Sequence, residues 1–222
     1  MGEYLQLEKL NVDQIVNELY DFSKLGAFSI PNVITEVART EILEARRAAD
    51  HLFHQAQREK GEVIQEMRTL YIERFRDNEI PDLLRNCLGK FNAEFRDFYA
   101  RIAKAAGFSE KTYNSIGIHS YPLGSIGISP HQDYATDVDL VTSLVIAGYA
   151  DFFVCKNREK EGSEKIEASP GSIVFMRAAR NSQEQRARPF HYLVGPMTEE
   201  RVSVLVRRRK EAKDKHHSAY SI

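Results

Sequence analysis

The 222-residue sequence has no tryptophan, only two cysteines and no surplus of either charge: 31 lysines and arginines stand against 32 aspartates and glutamates, a formal net charge of -1. Each shortage excludes something. Cys87 and Cys155 are too few for a disulfide framework, so two reduced thiols are expected. Balanced charge gives no global attraction to nucleic acid, although a local patch stays compatible with it. A nucleic-acid demethylase needs aromatic stacking surfaces and a basic groove to hold an extruded base. Tryptophan is absent, and the first half shows no interleaving of basic and aromatic residues. No apolar run approaches membrane-spanning length, and Met1-Gly2-Glu3-Tyr4 lacks the basic and apolar regions of a signal peptide; the expected location is the cytoplasm. Repeats and low-complexity tracts are missing too.

What is present is the composition of a soluble globular protein, 42% hydrophobic and 28% charged, with enough length for one well-packed core. The expectation is a single domain over 1–222: a mainly helical support over 1–112, a catalytic core over 113–209 and a charged tail over 210–222. Asn11 can cap a helix, with Gln14 three residues on as in a capping box; Ile15, Val16, Leu19 and Phe22 give its apolar face and Gly26 its end. Ala27-Phe28-Ser29-Ile30 reads as a short strand before Pro31. A long helix is expected from Thr35 to Arg58, striped by Ala38, Ile42, Ala45, Ala49, Leu52, Phe53 and Ala56. His51 and His54, one turn apart on it, could share a metal or lie at its surface. Residues 61–78 are ambiguous between strands and wall. Pro81 suits the start of a second long helix that runs to Ala106, striped by Leu84, Cys87, Leu88, Phe91, Phe95, Phe98 and Ile102, and stopped by Gly107.

After Tyr113 the character changes to short strands between turns, expected at 116–121, 126–130, 141–147, 151–156, 165–168, 172–176, 189–194 and 201–208. Such a series fits an α+β protein whose core is a double-stranded β-helix, or jelly roll, with the long helices on the outside of one sheet. Ser169-Pro170-Gly171-Ser172 is a turn signal before the apolar run Ile173-Val174-Phe175-Met176.

Within this region Pro130-His131-Gln132-Asp133 places a histidine and a carboxylate two residues apart, on one face of an extended segment. His191, in Pro189-Phe190-His191-Tyr192, can complete a set of two histidines and one carboxylate. That set is the facial triad of non-haem Fe(II) oxygenases, with open positions for co-substrate and oxygen. Ten residues on, Arg201-Val202-Ser203-Val204-Leu205-Val206-Arg207 alternates: three valines share one face, and Arg201, Ser203, Leu205 and Arg207 share the other. This is either a half-exposed strand with its charges in water or a strand that turns its polar face into a barrel. In the second case the fork of Arg201, helped by the Ser203 hydroxyl, can bind a dicarboxylate.

Over Tyr113 to Arg209 the chain resembles the Fe(II)/2-oxoglutarate-dependent oxygenases, whose pattern is His-x-Asp, a distal histidine, then Arg-x-Ser. The second arginine, Arg207, is similar to that of AlkB-type demethylases, which carry two arginines six apart on this strand. The resemblance implies that His131, Asp133 and His191 bind Fe(II), and that Arg201 and Ser203 take the distal carboxylate of 2-oxoglutarate. It also implies that oxygen is consumed while 2-oxoglutarate loses carbon dioxide to become succinate. A retained aspartate implies hydroxylation rather than halogenation. Tyr121 and His119, sharing a face in Ile116-Gly117-Ile118-His119-Ser120-Tyr121, match positions that contact the co-substrate in AlkB-type enzymes. His119 departs from the usual asparagine and reads equally as a donor to the co-substrate or as a hydrogen-bonded core histidine. Arg207 reads as a ligand of the C1 carboxylate or as a partner of Asp133.

For the substrate, the residues after the pair, Tyr134-Ala135-Thr136-Asp137-Val138-Asp139, are expected at the mouth of the barrel. The loop 177–188, with Arg177, Arg180, Arg186 and Arg188, joins them. Tyr134, Asp137 and Arg188 are the candidates for the substrate rim, the arginines being either an anion-binding edge or a solvated loop. The expected activity is hydroxylation of a small polar metabolite or amino-acid-like substrate. The alternatives are an AlkB-like nucleic-acid demethylase, and a jelly-roll ligand-binding or sensor module without turnover.

Overall fold

The computed structural model describes residues 3–56, 59–60, 63–74, 79–109, 111–179, 184 and 187–210. Helix α1 (Val12–Tyr20) starts where the Asn11 side chain accepts from the Gln14 backbone N–H at 3.1 Å, and β1 (Ala27–Ile30) follows it. Helix α2 (Glu36–Ala48) is capped by Thr35, whose hydroxyl accepts from Ala38 N–H at 3.2 Å.

α2 stops well short of the expected end at Arg58, a residue outside the described ones. After a 3-10 turn at Asp50–Leu52, Phe53 is buried beneath two guanidinium groups, Arg46 at 5.0 Å and Arg68 at 5.7 Å from its ring centroid. The next residues form β2 (His54–Gln55), followed by β3 (Glu59–Lys60), β4 (Val63–Ile64) and β5 (Arg68–Tyr71). β2 pairs with β5, with His54 opposite Thr69. Sheet pairing and an aromatic anchor here override a helix-compatible sequence. His51 and His54 therefore do not share a helix face. The ambiguous stretch turns out to supply strands. Helix α3 (Asp82–Ala106) follows Pro81, buries the whole aromatic stripe and ends at Gly107, whose φ of 71° is left-handed.

The second half runs β6 (Ser115–Tyr121), β7 (Gly127–His131), β8 (Asp137–Ala147), β9 (Asp151–Cys155), β10 (Glu164–Ile166), β11 (Ile173–Arg177), β12 (Phe190–Val194) and β13 (Arg201–Arg209). They form two antiparallel sheets. The larger has the order β1-β11-β8-β13-β6-β5-β2 and the smaller β10-β9-β12-β7, while β3 and β4 pair as a separate hairpin. From β6 onward the chain crosses between the two sheets, except for the β9–β10 hairpin, so residues distant in sequence become neighbours.

Alternation along the strands sorts the larger sheet into two environments. One face, with Ile116, Ile118, Leu144, Phe175, Val202, Val204 and Val206, joins the helices in a continuous apolar core. The other face meets the smaller sheet through Val141, Val145, Val174, Met176, Phe152 and Leu193 and leaves a cavity at one end. Close approach of the two strands of the smaller sheet depends on Gly127, with φ 85°: a Cβ there would lie 2.3 Å from the Leu193 carbonyl oxygen, so only glycine lets β7 lie against β12.

Candidate active site

His131 and His191 are direct cross-strand partners of β7 and β12, with ring centroids 4.2 Å apart. The His131 Nδ1 lies 3.0 Å from the carbonyl oxygen of Ser129, which can only accept, so Nδ1 carries the hydrogen and Nε2 keeps its lone pair. Asp133, just past the end of β7, brings Oδ2 to 4.0 Å from His191 Nε2. One potential ligand atom from each of His131, Asp133 and His191 lies within 4.8 Å of the others. Burial, with His191 adding to it, lowers the His131 pKa to about 3; burial, with Arg207 adding, lowers that of His191 to about 4. Both imidazoles are therefore neutral at neutral pH, the form a metal requires. Behind them, Arg188 donates to the Asp133 backbone carbonyl at 2.5 Å, and Gln132 Nε2 donates to the Arg188 carbonyl at 2.7 Å. These two bonds fix the backbone that carries the carboxylate.

Across a cavity of about 350 Å³ stands the inward face of the larger sheet. Register sets its composition: Arg201 lies opposite Tyr121 and Ser203 opposite His119 along the β13–β6 ladder, and Thr69 lies opposite His119 on the other side. Arg201 is 2% exposed, and its NH1 donates to the carbonyls of Gly148 at 2.9 Å and Ala168 at 3.0 Å. Among the described residues, its buried Nε has no partner and no carboxylate pairs with it. Burial lowers its pKa to about 10, relieved in part by Tyr121. A buried guanidinium lacking a counter-charge is costly, and a ligand carboxylate would remove that cost.

Arg207 is a different case. It is buried yet faces two carboxylates, with NH1 3.4 Å from Asp137 and 3.9 Å from Asp133. Burial opposes its charge, but Asp137 and Asp133 outweigh this and its pKa is raised. Tyr71 packs against it, ring centroid 5.4 Å from the guanidinium carbon, and places its hydroxyl 3.4 Å from His119 Nε2. That packing needs Gly117, where a Cβ would fall 2.9 Å from the Tyr71 ring. His119 is buried, and desolvation first, then Arg207, holds it well below the ordinary histidine range.

His119, Tyr121, His131, Asp133, His191, Arg201, Ser203 and Arg207 all line this one cavity, and half-exposed Tyr134 stands at its edge. Two expected rim residues are placed otherwise. Asp137 is fully buried, because it opens β8 opposite Arg209 in the β13 ladder and is held by Arg207 and Arg209. Arg188 points at the Asp133 backbone instead of outward. Nor is Arg177 an anion-binding edge: it is buried and donates to the carbonyls of Leu19 and Ala187. Arg180 and Arg186 lie outside the described residues. Gln65, Met67, Thr69 and Tyr71 line the cavity from the β4–β5 segment, so the stretch left open between strands and wall supplies both, although the sequence singles out none of these four as a site residue. The alternation in Arg68-Thr69-Leu70-Tyr71 was the available signal.

No family model matches the sequence, and no curated protein matches it. Solved structures do. A Pseudomonas putida prolyl-4-hydroxylase superposes with a TM-score of 0.62 at 15% identity, covering 89% of this chain and 100% of its own. The chain shares its fold. The Arabidopsis thaliana dioxygenase for auxin oxidation 1, in its binary complex with 2-oxoglutarate, gives a TM-score of 0.59 at 13% identity, covering 98% of this chain and 96% of its own. A Trichoplax adhaerens prolyl hydroxylase, in complex with a hypoxia inducible factor peptide fragment, gives 0.57 at 15% identity over 92% of each chain. Among the described residues no helix is long and apolar enough to cross a membrane.

Proposed function

We propose that this protein is an Fe(II)- and 2-oxoglutarate-dependent dioxygenase with a jelly-roll core. It hydroxylates a small polar metabolite or amino-acid-like substrate and works in the cytoplasm as a single-domain enzyme. One observation carries the reading: a His/Asp/His cluster faces, across one cavity, a buried guanidinium with no carboxylate partner among the described residues. The cluster fits iron chemically, since two neutral imidazoles and one carboxylate suit Fe(II) and leave positions open for exogenous ligands.

In this reading His131, Asp133 and His191 hold the iron. Arg201 and Ser203 bind the distal carboxylate of 2-oxoglutarate, with the Tyr121 hydroxyl beside them. The bound iron supplies dioxygen activation, coupled to decarboxylation of 2-oxoglutarate: one oxygen atom enters succinate and the other the substrate hydroxyl, with carbon dioxide released. His119, neutral and tied to Tyr71, offers a hydrogen bond inside the cavity and no charge. Arg188 and Gln132 keep the backbone of Asp133 in place. Tyr134, at the edge, is positioned to meet the substrate.

Succinate release with Fe(II), ascorbate and a metabolite panel tests the proposal. The expected result is slow uncoupled release that a matching substrate accelerates. Iron-loaded protein that never consumes 2-oxoglutarate would leave the non-catalytic sensor as the better account, and salt-sensitive retention on single-stranded oligonucleotides would favour a demethylase.

A further inference from the structure

Behind Asp133, five side chains of alternating charge run in contact away from the cavity. Asp133 faces Arg207 at 3.9 Å, Arg207 faces Asp137 at 3.4 Å, Asp137 accepts from Arg209 Nε at 3.0 Å, and Arg209 NH1 reaches Glu73 at 3.1 Å. Two of the three inner members are sealed from water, Arg207 at 1% and Asp137 at 0% exposure. Tyr71 packs against both guanidiniums, at 5.4 Å and 5.1 Å, and the Ser115 hydroxyl donates to Glu73 at 2.7 Å. Three carboxylates against two guanidiniums leave one negative charge in excess, and Asp133 is the end that lines the cavity.

A buried arginine beside a single carboxylate pairs with it closely, often through both nitrogens. Arg207 does not do this to Asp133; its nearer carboxylate is Asp137, held in turn by Arg209. We infer that Asp137 is a positioning residue that draws Arg207 back from Asp133, so that the Asp133 carboxylate stays available to a metal ion. The inference rests on the proposed reading of His131, Asp133 and His191 as ligands. It gives Asp137, four residues beyond the first ligand pair, a task at the metal site without touching metal or substrate. Without Asp137, the only carboxylate left within 4.0 Å of Arg207 among the described residues would be Asp133.

Anaerobic Co(II) titration of the full chain, followed by the absorption of the bound ion, tests this through a double-mutant cycle. Asp137→Asn should weaken Co(II) binding by about 10- to 100-fold, the range seen when partners of metal ligands are lost. In an Arg207→Met background, where no guanidinium competes for Asp133, the same substitution should change Co(II) binding little. Wild-type affinity in Asp137→Asn, or equal losses in both backgrounds, would overturn the inference. Arg209→Gln provides a second check that does not empty the buried position: it leaves Asp137 to Arg207 and should keep Co(II) binding. A loss there as large as that of Asp137→Asn would overturn the inference as well. Wild-type protein that binds no Co(II) would overturn the ligand assignment itself, whereas binding without coupling would count against Asp137 alone.

Discussion

His131 and His191, sixty residues apart in sequence, sit directly opposite one another across a pair of antiparallel strands, with ring centroids 4.2 Å apart. The β7–β12 pairing thus determines whether a metal can be held, and Asp133 follows from its place at the strand end. Replacing His131 or His191 with alanine should abolish retention of Fe(II) or Co(II) while leaving the urea midpoint of the metal-free protein nearly unchanged. Metal analysis after desalting reads the first and denaturation the second. Turnover at the wild-type rate in either variant would refute the assignment.

Arg201 is anchored by two backbone carbonyls and lacks a carboxylate partner among the described residues. Lysine keeps the charge but loses the fork. Arg201→Lys should weaken 2-oxoglutarate binding by about 10- to 100-fold, the equivalent of losing a hydrogen bond to a charged group. Co(II) affinity should hold. Calorimetric titration with each ligand separates the two, and parallel losses would indicate misfolding instead.

Gly117 leaves room for the ring of Tyr71, which in turn packs on Arg207. Gly117→Val should displace that ring and cost about 1–3 kcal/mol through overpacking. Adding Tyr71→Leu should recover part of the loss, as seen in denaturant midpoints. A neutral Gly117→Val variant would mean that the ring shifts freely.

Asp50 bridges Arg68 at 2.6 Å and Arg46 at 2.9 Å where α2 gives way to β2. The Arg68 hydrogen bond, aided by Arg46, holds its carboxyl below the ordinary aspartate range. A depressed folded-state pKa means a contribution that is complete above the unfolded value of about 4 and lost as pH falls through the folded value. Asp50→Asn should therefore be slightly less stable than wild type at pH 7, and the gap should close on acidification. The contribution is small, since the Asp50 side chain is 48% exposed. A gap that persists at low pH would exclude this origin.

The site was legible in the chain wherever its signals were local. His131-x-Asp133 and the period-two face of Arg201, Ser203, Leu205 and Arg207 are statements about adjacent residues, and backbone geometry carries them directly into three dimensions. The same holds for the Asn11 and Gly107 helix ends and for the apolar stripe of α3. Asp137 shows the opposite case. Polar residues after a candidate ligand pair read as a loop at the mouth, yet pairing with Arg209, 72 positions on, buries the carboxylate. Arg188 and Arg177 likewise look like surface charges until backbone carbonyls of remote segments claim them.

Residue types and their short-range spacing thus determined, from the sequence alone, the candidate donor set, the alternating faces and most of the strands. Tertiary structure alone decided which charged groups meet a counter-charge among the described residues, separating Arg207 with its two aspartates from Arg201, which meets only backbone carbonyls there. It also decided where α2 ends and that β5 walls the cavity. The physical reason is that burial and ion pairing are properties of neighbours brought together by strand register, and register links segments that no local pattern connects.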